Sequence, residues 1–476
     1  MFLFSKSLVC AAENDNLVMA QWLSRVYCPV GIASHAVEKA AEFGNLRILE
    51  WLVDHHERIL CSPDLLTTAA KHGHLDVLQW LTRRLGVGFC TPRAMDAAAE
   101  SGHFDVVQWL QVAFPPSGVG SVAALRHTIR NSHLQIAKFL YDHGHTLDVK
   151  NGLDHAVCSG SLEMVEWLHG LTITGHTTRA MEYAAQFGHL DLAQWFWEHF
   201  PESDLKWPMH YAAENGHLEM VQWLNRANCT TEGVRYAMNA AARHGHFHIV
   251  KWLHEAHGQF SESAIKGAAW SGSLEMVQWL HAHRPASDAT MAMAFAAANG
   301  QLHVVEWLHA NRSEGCDNSA MEWAAINGHL ETVQWLHAHR TEGCTEFTMD
   351  GAARNSHLGV VQWLHENREE GCTSVAMDKA GSYEMVRWLH ENRTEGCTAA
   401  AMETAVERGD FDTVLFLREN RREGCPENVG LALGDENLEL FCWLHEHYPD
   451  KLDFDEIRES ASESLYLIAL LDDMGL

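Results

Sequence analysis

The chain has 476 residues, is 47% hydrophobic, and sets 34 Lys+Arg against 63 Asp+Glu, a formal charge of −29. So acidic a chain lacks the basic footprint that holds nucleic acid by counterion release, and it suits a protein partner with a basic surface. No apolar run approaches the roughly 18 to 20 residues that cross a bilayer, which excludes an integral membrane protein. The opening MFLFSKSLVCAAENDN has too few basic residues and too short an apolar stretch for a secretory signal, so an intracellular chain is expected, cytoplasmic with the nucleus open as well.

One motif then recurs along the chain. A Trp-Leu pair stands at Trp22, Trp51, Trp80, Trp109, Trp167, Trp223, Trp252, Trp279, Trp307, Trp335, Trp363, Trp388 and Trp443, with Phe139, Trp195 and Phe416 in the same register, giving sixteen anchors 25 to 30 residues apart. Regular spacing of this kind is a repeat array, expected to run as one continuous array of about sixteen helix pairs over 1–476. Within each copy, the residue fourteen before the anchor is apolar (Val37, Met95, Met181, Met321), and small residues follow three and four positions later, as in Ala324 and Ala325. That spacing predicts a short first helix with one core-facing side. Seven before the anchor twelve copies carry Gly, the residue that closes a helix in the left-handed conformation; the exceptions are Asp15, Ser132, Ser356 and Glu436. A second helix follows, as in His329 to His337, with an apolar arc wide enough to need its own first helix and both neighbouring copies. Its anchors, Trp51 through Trp443, are expected to be core. A polar stretch such as Arg312 to Cys316 returns the chain to the next copy.

Segments such as AMEWAAINGHLETVQWL, Ala320 to Leu336, resemble the helix-turn-helix signature of the ankyrin repeat. The resemblance implies an all-α, ankyrin-like repeat solenoid and a role in protein–protein interaction. The period of about 28 in place of 33 places the missing residues where family members project a β-turn finger, so shortened or absent fingers are expected. Short copies bearing Trp and Glu-Gly-Cys are similar to the oomycete-type members of the family. Copy 1, residues 1–30, and the acidic end, 449–476, are expected to serve as polar caps, the latter as a half-repeat with Ile457 fourteen before Leu471.

Three further residue sets keep the register. Cys316, Cys344, Cys372, Cys397 and Cys425 lie nine after an anchor; equivalent residues of stacked copies sit too far apart for disulfides, so free structural thiols are expected, with metal or redox use as the alternative. Of the 34 His, eight lie six before an anchor (His74, His103, His133, His189, His217, His246, His329, His357), where they would cap the second helix or bond a neighbouring loop. Eight more lie two after it (His169, His254, His281, His309, His337, His365, His390, His445). The pairs His281/His283 and His337/His339 have a spacing that can ligate metal, but on a helix they point about 200° apart, so no metal site is expected. Full protonation of His would move the charge from −29 to −29 + 34 = +5, which makes the field of the molecule pH-dependent. Arg284, Arg312, Arg340, Arg368, Arg393 and Arg421 lie five after an anchor, and from Arg312 on each is followed two residues later by Glu (Glu314, Glu342, Glu370, Glu395, Glu423): a surface ion-pair ladder, or a groove for an acidic ligand.

Binding is expected on the first helix, whose positions thirteen, twelve, nine and eight before the anchor fall off the core face. Large apolar side chains gather there in copies seven to twelve: Tyr183, Phe187, Tyr211, Trp270, Phe295, Trp323 and Ile326. They form either a contact surface or packing between adjacent first helices. Copy 14, from Met377, lacks three residues before its Gly and should have a shortened first helix. No catalytic or cofactor motif is present. The expected function is a monomeric, non-enzymatic scaffold showing variable first-helix side chains along a concave surface. The alternatives are an adaptor or inhibitor linking a target to a degradation or signalling enzyme, and a metal-binding protein using the His-rich helices.

Overall fold

The computed structural model describes the chain outside residues 1, 27–29, 56–62, 86–91, 114–121, 146–148, 172–177, 202–203, 228, 259–262, 284–288, 290, 314, 428, 433–437, 461–470 and 472–476. Among the described residues all regular structure is helical, and the helices alternate as the repeat register requires. Copy 12 is representative: a first helix Ser319–Ile326, a hinge at Gly328, a second helix Leu330–His339, and a connection of residues 340–345 to the next first helix, Glu346–Arg354. Shortened fingers follow directly, because these six residues hold a bend and no strand.

The chain forms two units, Met1–Val234 and Arg235–Leu476. In each, successive first helices pack side by side, for example Pro63–Lys71 against Pro92–Ser101 and Ala292–Ala298 against Ser319–Ile326, and each also packs on its own second helix. The contact is close because the facing residues are small: Ala98, Ala99, Ala324 and Ala325 are fully buried, with Met95 and Met321 beside them.

The indoles are not the centre of this core. The fully buried second-helix residues are the Leu after each anchor (Leu52, Leu110, Leu336) and the aliphatic pair before it, such as Val106 and Val107. Trp51, Trp80, Trp109, Trp167, Trp223, Trp252, Trp279, Trp307, Trp335, Trp363, Trp388 and Trp443 are half-buried, and Trp22 is 59% exposed. The physical reason is periodicity: Leu and the aliphatic pair occupy the middle of the apolar arc, which leaves the indole on its flank, against the preceding second helix, as Trp279 lies on Phe247 and Trp307 on His281. Copy 1 also departs from the polar cap expected, since its second helix, Leu17–Val26, exposes Val18 and Met19 beside Trp22. Much of the 449–476 cap lies outside the described residues; the part described holds helix Phe454–Ser460, with Ile457 buried.

The hinges show why Gly recurs. Gly188 has φ 75°, and the three described exceptions are the non-glycine residues with positive φ: Asp15 at 48°, Ser132 at 61° and Ser356 at 63°. Glu436 lies outside the described residues. Copy 14 is shortened as expected, its first helix being Val375–Asp378. Gly381 serves a different purpose there: its N–H donates to the Ala353 carbonyl at 3.0 Å, and a Cβ would come within 2.5 Å of the Arg354 oxygen.

Candidate functional site

The outward positions of the first helix divide by use. Position thirteen before the anchor ties copies together at two acidic residues: Asp350 accepts from Thr373 N (2.8 Å) and Thr373 Oγ1 (2.6 Å), and Glu322 accepts from Thr345 Oγ1. Position eight does so at Asn327, whose Nδ2 donates to the Ala298 carbonyl at 2.7 Å, and at Asn355, whose Nδ2 donates to that of Ile326 at 2.8 Å, whereas Asn215 and Asn299 turn back onto Tyr211 and Phe295 of their own helices. Positions twelve and nine bridge copies as well in places, Lys379 Nζ donating to Thr404 Oγ1 at 3.1 Å, but in copies seven to twelve they carry the large aromatics instead.

Of the seven candidates, Phe187 is exposed (47%), and Tyr183, Tyr211, Trp270, Phe295, Trp323 and Ile326 are half-buried. In the first unit Tyr183 and Phe187 stack at 6.5 Å, and Tyr211 lies 6.4 Å from Trp207, which is 44% exposed and outside the candidate set. The second unit carries a continuous aromatic row: Trp270 meets Phe295 edge-on (5.8 Å, 72°), and Phe295 stacks on Trp323 (5.7 Å, 20°). These rings touch one another across successive first helices while keeping one side open. Packing and contact surface are therefore two faces of the same side chains, rather than alternatives. Ile326 lies where a Cβ on Gly351 would be, 2.5 Å from its Cγ1, and so belongs mainly to the packing. Asn239, Arg243 and Lys266 join Gly267, Trp270 and Phe295 around an open groove of about 380 Å³, with the Arg243 guanidinium 4.9 Å above the Trp270 ring. Sequence reasoning missed these polar members because it searched outward positions for aromatics alone.

The histidines are placed between copies. His217 Nε2 donates to the Gln186 carbonyl of the preceding copy at 3.0 Å, and His74 to that of Glu42 at 2.8 Å. His189, His217 and His329 make no side-chain cap of their own helix, so of the two expected roles the described bonds are those to the neighbouring copy. The set two after the anchor packs edge-on against the next anchor: His281 on Trp307 and His309 on Trp335, both at 5.3 Å. His283 and His339 turn back instead, bonding the carbonyls of Trp279 (2.8 Å) and Trp335 (2.9 Å). The members of each His pair thus serve different neighbours. Among the described residues no group of three or more His, Cys, Asp or Glu could hold a metal ion.

The Arg residues join this second set. Arg312 Nη1 donates to His281 Nδ1 (3.1 Å), Arg368 Nη1 to His337 Nδ1 (3.3 Å) and Arg393 Nη1 to His365 Nδ1 (3.1 Å), while Arg340, Arg368, Arg393 and Arg421 each fork onto the Glu two residues on. The ladder is thus an ion pair within each loop and an Arg–His bond from that loop to the second helix of the preceding copy. Arg284 and Glu314 lie outside the described residues. Partial burial opposes ionisation of Glu342, Glu370, Glu395 and Glu423, but hydrogen bonds from the guanidinium and main-chain N–H groups outweigh it, so each titrates below its ordinary value. Cys316, Cys344, Cys372, Cys397 and Cys425 are free. Burial raises these thiols, Cys372 to about 11 and Cys425 to about 12, which disfavours the thiolate at neutral pH.

No helix among the described residues is long and apolar enough to cross a membrane. No curated protein matches the sequence. A family model described as ankyrin repeats (3 copies) matches residues 153–233, 209–291, 265–348 and 293–376, and one described as ankyrin repeats (many copies) matches 37–82, together more than half of the chain. Ankyrin repeats are protein-interaction modules, and the paired helices and positive-φ hinges described above are theirs: the chain belongs to the ankyrin-repeat family.

Proposed function

We propose that the chain is a non-catalytic scaffold that binds protein partners through positions twelve and nine of its first helices. Buried residues hold the stack together at fixed register positions, whereas these two positions vary from copy to copy and bear the large aromatics. The row Trp270, Phe295, Trp323 carries the reading: three rings in mutual contact, each half-buried, form a pre-ordered apolar surface that costs little side-chain entropy on binding. On this reading the register runs as one array over 1–476, and the molecule acts as an intracellular monomer without cofactor.

Affinity capture tests it. Wild type is compared with a Tyr183→Ala, Tyr211→Ala, Phe295→Ala, Trp323→Ala variant that retains its helical circular dichroism and melting transition. Specific partners lost by the variant support the surface; identical partner lists move binding elsewhere.

A further inference from the structure

The partner's chemistry can be read from the groove, and that inference rests on the reading above. Although the whole chain carries −29, the described residues that line the groove over helices Thr231–Arg243, Ala264–Ser271 and Ala292–Ala298 include two cations, Arg243 and Lys266, and no carboxylate. Its wall is the edge-on pair Trp270 and Phe295. Its floor is Gly267, where a Cβ would come 2.9 Å from the Arg243 main-chain nitrogen. The missing side chain lets the two helices approach and leaves the space beside the indole unfilled. Arg243 stacks on Trp270, which fixes the guanidinium plane and keeps its N–H edge for an acceptor. Asn239 Oδ1, also at the groove, is buried and accepts no hydrogen bond.

We propose that this groove takes an acidic peptide segment of a partner protein. An aliphatic or aromatic side chain sits against Trp270 and Phe295, and flanking carboxylates meet Arg243 and Lys266. A basic segment would face two like charges, a cost that specificity exploits. A nucleic acid is a poorer occupant than a short peptide: its backbone extends well beyond the Debye length of roughly 8 Å and meets the acidic remainder of the molecule, whereas a short segment feels mainly the local cations.

The experiment selects phage-displayed random twelve-residue peptides on the full chain, then measures selected synthetic peptides by fluorescence anisotropy. The proteins compared are wild type, Arg243→Glu/Lys266→Glu, the milder Arg243→Gln, and Trp270→Ala, each checked by its melting transition. The inference expects net-acidic peptides with an apolar residue, weakened on the order of tenfold by the charge reversal, less by Arg243→Gln, and also weakened by 0.5 M NaCl. Neutral or basic peptides that need Trp270 but ignore the charge reversal overturn the acidic partner and leave the scaffold reading standing. Failure to select any peptide, or binding indifferent to both Trp270→Ala and the charge reversal, overturns this site. If binding also ignores Phe295→Ala and Trp323→Ala, the scaffold reading falls with it.

Discussion

The imidazole of His217 occupies the space that a side chain on Gly188, one copy earlier, would fill: a Cβ there would lie 2.7 Å from His217 Nδ1, and the ring's Nε2 bonds the Gln186 carbonyl at 3.0 Å. The Gly of one copy is thus fixed twice, by its φ of 75° and by the His of the next. Gly188→Ala should cost about 2–3 kcal/mol of local opening free energy and His217→Ala about 1–2, with the double variant costing less than the sum, because the clash disappears with the ring. Hydrogen exchange in helices Thr178–Phe187 and Leu218–Arg226 measures this. Strict additivity would show the two residues to be independent.

Ser132 marks the opposite case, an L-residue in a conformation suited to Gly, at φ 61°, with its buried hydroxyl bonded to nothing. Ser132→Gly removes both penalties and should stabilise this region by about 0.5–1 kcal/mol, despite the added freedom of the unfolded chain. A lowered melting temperature would contradict the account.

Replacing Leu336, 1% exposed, should cost more than replacing its half-buried neighbour Trp335: about 3–4 kcal/mol for Leu336→Ala against about 2 for Trp335→Ala. The reverse order, read from exchange in Leu330–His339, would return the indoles to the centre of the core.

Arg368 bonds Glu370 in its own loop and His337 in the second helix of the preceding copy, a fork that Lys cannot reproduce. Arg368→Lys should therefore recover less than half of the roughly 1–2 kcal/mol lost in Arg368→Ala, as measured by exchange at the loop amides. Full recovery by Lys would reduce the fork to a simple charge.

Acid should weaken the fold in two stages. Burial lowers His72, His145, His155 and His357 below the ordinary His value of about 6.5, so unfolded chains take up protons that the folded state refuses. Their contribution is complete above about 6.5 and is lost as pH falls towards the folded values. Glu342, Glu370, Glu395 and Glu423, lowered by their Arg and main-chain partners, contribute above the ordinary Glu value of about 4.3 and lose this below it. Melting temperature against pH should fall between pH 7 and 5 and again below pH 4.5, and His145→Gln should flatten the first fall. A profile level from pH 7 to 5 would contradict the His assignment.

The helix pairs and hinges were legible because they rest on short-range pattern: Met321, Ala324 and Ala325 share one face of a helix, and Asp15, Ser132 and Ser356 sit where the register demands positive φ. The roles of His and Arg were not, because they lie between copies. Nothing in the local sequence says that His281 will meet Trp307 with its edge and Arg312 with its Nδ1. The indoles misled for a related reason, since a repeating Trp marks an interface position without saying whether it lies at the centre or the flank. The aromatic row was visible in Phe295 and Trp323, whereas the groove beside it depended on Gly267, a residue whose contribution is the space it leaves.

The most direct test of partner binding through the first helices is hydrogen-exchange mass spectrometry of the full chain, alone and with a captured partner. The account predicts slowed exchange in Ala264–Ser271, Ala292–Ala298 and Ser319–Ile326, with Leu274–His283 and Leu302–Asn311 little changed. Protection confined to those second helices would contradict it.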